Sequence, residues 1–120
     1  MPPKSLNSSV MKWPDKTQVD SAVRKWARQA ATLHPELSRL GYFGSYARGN
    51  WGVGSDLDLV AIVSTSELPF ERRPTTWKVE NLPVPAELLV YTKAEWEQLP
   101  QQSTRFAQTL CDEVVWVYEK

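Results

Sequence analysis

Glycine is scarce in this chain and unevenly placed. Five of the 120 residues are glycine, and all five lie between Gly41 and Gly54, so the residues best suited to positive φ are confined to one segment. Cysteine is scarcer still: Cys111 stands alone, which excludes an internal disulfide and makes a reducing cytosol the natural compartment. It reads as a small apolar residue near a helix end rather than as a nucleophile. Net charge is also missing, with 14 Lys plus Arg against 14 Asp plus Glu, and this excludes a broad electrostatic footprint for duplex DNA or RNA. The longest obvious apolar run, Leu59 to Val63, is far short of the ~20 residues that span a bilayer, and the N-terminus has no apolar signal core. A soluble, cytoplasmic protein without a membrane partner is therefore expected. At this length the chain can bury one core but not several.

The glycine segment is also where the chemistry gathers. It contains Gly44-Ser45, then Ala47-Arg48-Gly49, then Ser55-Asp56-Leu57-Asp58. Glycine lets a ligand approach main-chain N–H groups without a Cβ in the way, which suits Gly44-Ser45 to a triphosphate, and Ser45 adds a hydroxyl donor. If a short helix opens at Ser45, its free N–H groups and positive dipole end also face the anion. Leu57 and Leu59 to Val63 read as a buried strand, whose period of two puts Asp56 and Asp58 on one face. Carboxylates held that close raise each other's pKa or recruit a cation, and hard oxygen ligands beside a phosphate favour magnesium. Taken singly, a Gly-Ser pair and a Ser-Asp loop ending are ordinary turn features. Their order and spacing between two apolar strands carry the signal.

Elsewhere the pattern is that of a small mixed domain. Residues 1–12 are polar, proline-bearing and aperiodic, which predicts a flexible segment ahead of one domain over 13–120. Val19, Ala22, Val23, Trp26, Ala27, Ala30 and Leu33 recur at helical spacing, with Asp15 or Thr17 as the cap and His34-Pro35 as the stop. His34, the only histidine, suits the dipole at that end; catalysis is its weaker alternative. Leu37 to Phe43 is the first strand. Ser64 to Leu82, carrying Arg72-Arg73, reads as a long connection with a short strand around Thr76 to Val79. A third strand is expected at Glu87 to Tyr91. Thr92-Lys93-Ala94-Glu95 then forms a capping box for a helix reaching about Leu99, before Pro100 interrupts it. Ser103 to Leu110 resumes helical spacing, and Val114 to Tyr118 supplies a closing strand. The order implies an α+β fold, a mixed sheet with helices packed largely on one face. Trp26 and Trp116 read as core. Trp51 inside the glycine loop is open to base stacking, to a partner or to local packing, and Trp77 with Arg72-Arg73 reads as a contact surface.

The spacing of these motifs over residues 41–63 closely resembles the signature of the DNA polymerase beta-like nucleotidyltransferase superfamily. More narrowly, the chain resembles its small prokaryotic members, the minimal nucleotidyltransferase (MNT) domains. That resemblance implies the nucleotidyltransferase fold and transfer of a nucleoside monophosphate, AMP from ATP above other NTPs, to a protein or small-molecule hydroxyl. Gly44, Ser45, Arg48 and Ser55 would bind the nucleotide; Arg48 reads equally as a partner for a neighbouring carboxylate. Asp56 and Asp58 would hold two Mg2+ ions, with Mn2+ as a substitute. The family's third carboxylate is an Asp at the start of the third core strand, where this chain has Glu87, as ligand and base; Glu80 is a weaker candidate. The longer Glu side chain puts full activity in question, so the alternative is a catalytically weak or inactive nucleotide-binding module acting through complex formation. The resemblance also implies an antitoxin context, with an all-helical HEPN-type ribonuclease toxin as partner, or a homodimer. Aminoglycoside nucleotidyltransferases share the signature but carry a further substrate domain for which these 120 residues leave no room.

Overall fold

The structure is a computed structural model that describes residues 13–120, so the flexible segment expected over 1–12 lies outside the described residues. The first helix, α1 (Lys16–Leu33), starts from an Asp15 cap whose carboxylate accepts from the Gln18 N–H, while the Gln18 side chain accepts from the Asp15 N–H. This capping box satisfies two donors that a helix start leaves free. The stripe Val19, Val23, Trp26, Ala27 and Ala30 is buried. The strands are β1 (Leu37–Phe43), β2 (Leu57–Val63), β3 (Ala86–Thr92) and β4 (Val115–Glu119), in the spatial order β3-β2-β1-β4. β1 runs antiparallel to β2 and β4, and β2 runs parallel to β3. The remaining helices are α2 (Ser45–Arg48), α3 (Lys93–Gln98) and α4 (Arg105–Glu113). The result is a mixed four-stranded sheet with helices, an α+β fold.

The larger core joins Leu57, Leu59, Ala61 and Val63 of β2 to the α1 stripe, while Val60 and Ile62 meet Leu99, Ala107 and Leu110 in a smaller cluster on the opposite face. Because β2 is covered on both faces, Leu59–Val63 within it form a continuous apolar run that does not alternate. Each fully buried Leu or Ile there contributes about 1.5–3 kcal/mol. β1 must also admit β4 closely. A Cβ on Gly41 would press against the Val115 carbonyl and the side chains of Val114 and Trp116, where the β1–β4 register slips between Leu40 and Gly41.

The connection from β2 to β3 departs from expectation. No strand forms around Thr76 to Val79; the chain makes two 3-10 turns, Phe70–Thr76 and Val79–Asn81. Trp77 between them is buried and stacks flat on His34 at 3.8 Å, while the Trp26 indole N–H donates to the Lys78 carbonyl at 3.0 Å. Tertiary contacts with α1 thus hold this segment where a strand would need an edge to pair with. Arg73 is buried too, donating to the Leu68 and Val90 carbonyls and to both carboxylate oxygens of Glu95. Trp77 and Arg73 are therefore core residues and not a contact surface. Trp116 is only half-buried, under the Arg39 guanidinium and edge-on to Trp96. The expected Thr92 capping box is present, with Thr92 Oγ1 accepting from the Glu95 N–H and the Glu95 carboxylate accepting from the Thr92 N–H. Among the described residues no helix is long and apolar enough to cross a membrane.

Candidate active site

β1 ends where the glycine turn begins, and Gly44 decides the geometry. Its φ of 79° and ψ of −154° lie in a region essentially reserved for glycine. A Cβ at this position would also collide with Oδ2 of Asp58. The absence of a side chain therefore does two things at once: it permits the turn and lets a carboxylate pack against the backbone. α2 follows as a single turn, with the Arg48 N–H donating to the Gly44 carbonyl at 3.0 Å and the Gly49 N–H to the Ser45 carbonyl at 3.0 Å. Ser45, half-buried, stands at its first position.

The loop returns to the sheet through a second tie. Ser55 Oγ accepts from the Gly52 N–H at 2.7 Å, and the Ser55 N–H donates to the Gly52 carbonyl at 2.9 Å. This delivers Asp56, exposed, to the start of β2 and leaves Asp58 half-buried one step inside it. Asp58 lies between Phe43 on β1 and Glu87 on β3, its register partners. In parallel strands, side chains in register emerge on one face, so Glu87 belongs beside Asp58. Asp58 shows the consequence electrostatically. Burial raises its pKa above the ordinary aspartate value, the negative charges of Glu87 and Asp56 raise it further, Arg48 opposes them, and Glu113 adds to the rise.

The three carboxylates of the expected metal set therefore share one neighbourhood. They are hard oxygen donors, the type that Mg2+ and Mn2+ favour. Among the described residues, however, no three Asp, Glu, His or Cys side chains converge tightly enough to form a ready cation cage. Exposed Asp56 and Glu87 are free to adjust, and the repulsion that raises Asp58 is what a divalent cation would relieve. The donor set thus matches such a metal in chemistry, without being closed into a site. Glu80 is exposed in the turn Val79–Asn81 and is not among the groups that perturb Asp58. His34 precedes β1, whereas the glycine turn follows its far end, so the histidine stands away from the carboxylates.

One residue escaped the sequence reading. Glu113, the last residue of α4, accepts the Gly44 N–H at 2.7 Å and two bonds from Arg48 Nη1, at 3.0 and 3.2 Å. Of the two readings of Arg48, the carboxylate partner is the one realised in this structure. The signal available was a carboxylate at a helix C-terminus, where the macrodipole disfavours it. Extending the helix only to Leu110 hid that signal. Trp51 stacks on Tyr46 at 5.6 Å with nearly parallel rings, so its packing here is local. Trp13 and Pro14 complete that cluster: the Trp13 indole N–H donates to the Tyr46 hydroxyl at 3.0 Å, and that hydroxyl donates to the Pro14 carbonyl at 3.1 Å.

Comparison with known proteins bears on the fold and the family. No curated protein matches the sequence. Among solved structures, a candidate nucleotidyltransferase from Sulfolobus solfataricus superposes with a TM-score of 0.63 at 15% identity, covering 88% of this chain and 84% of its own. A chain from a toxin-antitoxin structure solved with AMP-PNP matches with a TM-score of 0.54 at 17% identity, over 84% of this chain and 73% of its own. A mutant toxin-antitoxin named MntA-HpeT gives the same TM-score of 0.54 at 16% identity and the same coverage, 84% and 73%. At these identities the likeness is one of fold. The sequence itself matches the family model described as nucleotidyltransferase domain over residues 23–115, from within α1 to the start of β4. The glycine turn and the paired aspartates both lie inside that span, and the chain belongs to the nucleotidyltransferase domain family.

Proposed function

We propose that this chain is a minimal nucleotidyltransferase that moves a nucleoside monophosphate, AMP from ATP, onto a hydroxyl of a protein or small molecule. The observation that supports this reading is the packing of the Asp58 carboxylate against the Gly44 backbone. Gly44, Ser45, Arg48 and Ser55 form or brace the nucleotide site, and Asp56, Asp58 and Glu87 hold divalent metal, Mg2+ or Mn2+. When bound, the metal pair neutralises charge on the attacking and departing oxygens. In the reaction the acceptor oxygen attacks the α-phosphorus in line, and a new O–P bond forms as the bond to the bridging oxygen of pyrophosphate breaks. Glu87 takes the proton of the acceptor hydroxyl. Asp58, which packs against the turn, would be one of the residues that hold the metal.

The family membership and the fold shared with chains of toxin-antitoxin structures support a role as the antitoxin of a pair, with a helical toxin as partner and acceptor. The test is transfer of label from α-labelled ATP in the presence of Mg2+ to a co-expressed neighbouring gene product. Label on that product, lost in an Asp56→Asn, Asp58→Asn double variant, supports the reading. ATP binding with no transfer to any acceptor would favour a nucleotide-binding module that acts by complex formation.

A further inference from the structure

The donors that a phosphate would need are already in use. The Gly44 N–H and the Arg48 guanidinium, one at each end of the single turn α2, both bond the carboxylate of Glu113. Its Oε1 receives both Gly44 and Arg48, and its Oε2 receives Arg48 a second time. Two oxygens on one trigonal carbon thus stand where two oxygens of a phosphate would be received. Nothing in the folding of α4 asks for an acid at this position, because a negative charge at a helix C-terminus opposes the macrodipole. The Glu113 side chain is mostly covered, at 15% exposure, while that of Arg48 is 48% exposed. Glu113 is thus mostly covered in this contact, while Arg48 stays open to solvent.

Charge makes shared occupancy unfavourable. Arg48 already bonds both oxygens of Glu113, and the Gly44 N–H bonds one of them. A triphosphate added while Glu113 kept its place would find the guanidinium already neutralised and another carboxylate at the amide. We propose that Glu113 is an internal placeholder for a nucleotide phosphate: its carboxylate occupies Gly44 and Arg48 in the nucleotide-free protein and yields both to the incoming NTP. This rests on the reading of the Gly44 turn as a triphosphate site. The exchange needs rotation of the Glu113 side chain and no movement of the sheet. It makes affinity for NTP a difference between two anions and keeps the turn ordered between ligands.

The test is calorimetric titration of ATP with Mg2+, and separately of inorganic tripolyphosphate, into the wild-type chain, Glu113→Ala and Glu113→Gln. Removing a competitor held by charge-assisted bonds is expected to tighten both polyphosphates about tenfold in Glu113→Ala. Glu113→Gln, which can still accept the Gly44 N–H but lacks the charge, falls between the two. In the wild-type chain the Gly44 amide NMR resonance shifts as ATP is added, because its acceptor changes. Affinity that is unchanged or weaker in both variants, with folding intact by near-UV circular dichroism, overturns the placeholder and makes Glu113 a clamp, while wild-type ATP binding keeps the nucleotidyltransferase reading. If Glu113→Ala fails to fold, Glu113→Gln decides alone. Absence of binding in all folded chains overturns both.

Discussion

Asp58 on β2 lies in register with Glu87 on β3, so two carboxylates 29 positions apart in the chain become lateral neighbours on one face of the sheet. The Glu87 charge is one of the causes that raise Asp58. In the proposed reaction Glu87 is both metal ligand and base. Glu87→Gln keeps the volume and loses both roles, and transfer is expected to fall by about 10²-fold or more with ATP affinity less affected. Glu87→Asp is the sharper comparison. A rate that rises in single-turnover assays would mean that the extra methylene weakens the natural chain.

The paired aspartates are expected to carry metal-dependent nucleotide binding. In the Asp56→Asn, Asp58→Asn double variant, isothermal titration should show that Mg2+ no longer strengthens ATP binding, and labelled-ATP transfer should fall by about 10²-fold or more. Equal binding in the variant and the natural chain, with the same Mg2+ dependence, would remove Asp56 and Asp58 from the site.

Without divalent cation, Asp58 should cost stability at neutral pH. Burial, with Glu87 and Asp56, raises its pKa in the folded protein, so the native state binds the proton more tightly than the unfolded state does. The Asp58 contribution is then fully present below the unfolded value near 3.8 and is lost as pH rises through the raised folded value. Asp58→Asn is expected to raise the metal-free Tm at pH 7 and to flatten the melting profile across that window. Calorimetric melts in EDTA check it, and a lower Tm for the variant at pH 7 would contradict it.

Gly44→Ala should fail twice. The backbone conformation there costs a non-glycine residue about 1–3 kcal/mol, and the new methyl meets the Asp58 carboxylate. Urea denaturation is expected to show at least that loss, with ATP binding abolished even where the fold survives. A variant of natural stability that still binds ATP would show the turn to be tolerant.

The Arg73 and Glu95 pair should hold the β2 to β3 connection in place. Arg73→Met removes donors to the Leu68 and Val90 carbonyls and to Glu95, and is expected to destabilise by about 2 kcal/mol. The Arg73 hydrogen bond also depresses the Glu95 pKa below 4.5, so this stabilisation is present above 4.5 and fades as acid protonates Glu95 through its lowered folded value. The melting temperatures of wild type and variant should therefore converge toward low pH.

Much of this fold was legible in the chain. The α1 stripe, the Leu37–Phe43 strand, the Thr92 capping box and the continuous apolar run of β2 are local patterns, set by helix and strand periodicity and by capping chemistry within a few residues. The glycine segment and its Asp-x-Asp ending were legible for the same reason, since a turn and a period of two need no distant partner. Pairing across the sheet was legible only through the family resemblance that put Glu87 with the two aspartates. That Glu87 falls beside Asp58 depends on β3 joining β2 in parallel and in one register. The burial of Arg73 and Trp77 depends on a connection that folds back over α1 and β3, where a buried guanidinium finds carbonyls and a carboxylate from separate elements. Glu113 shows the limit most clearly: it reaches Gly44 across 69 positions, and no local rule relates the end of one helix to the N–H of a turn. Sequence by itself determined which residues could make the turn, the strands and the charges; only tertiary structure decided which charge meets which donor, because electrostatic and hydrogen-bond contacts act over a few ångströms in space whatever their separation along the chain.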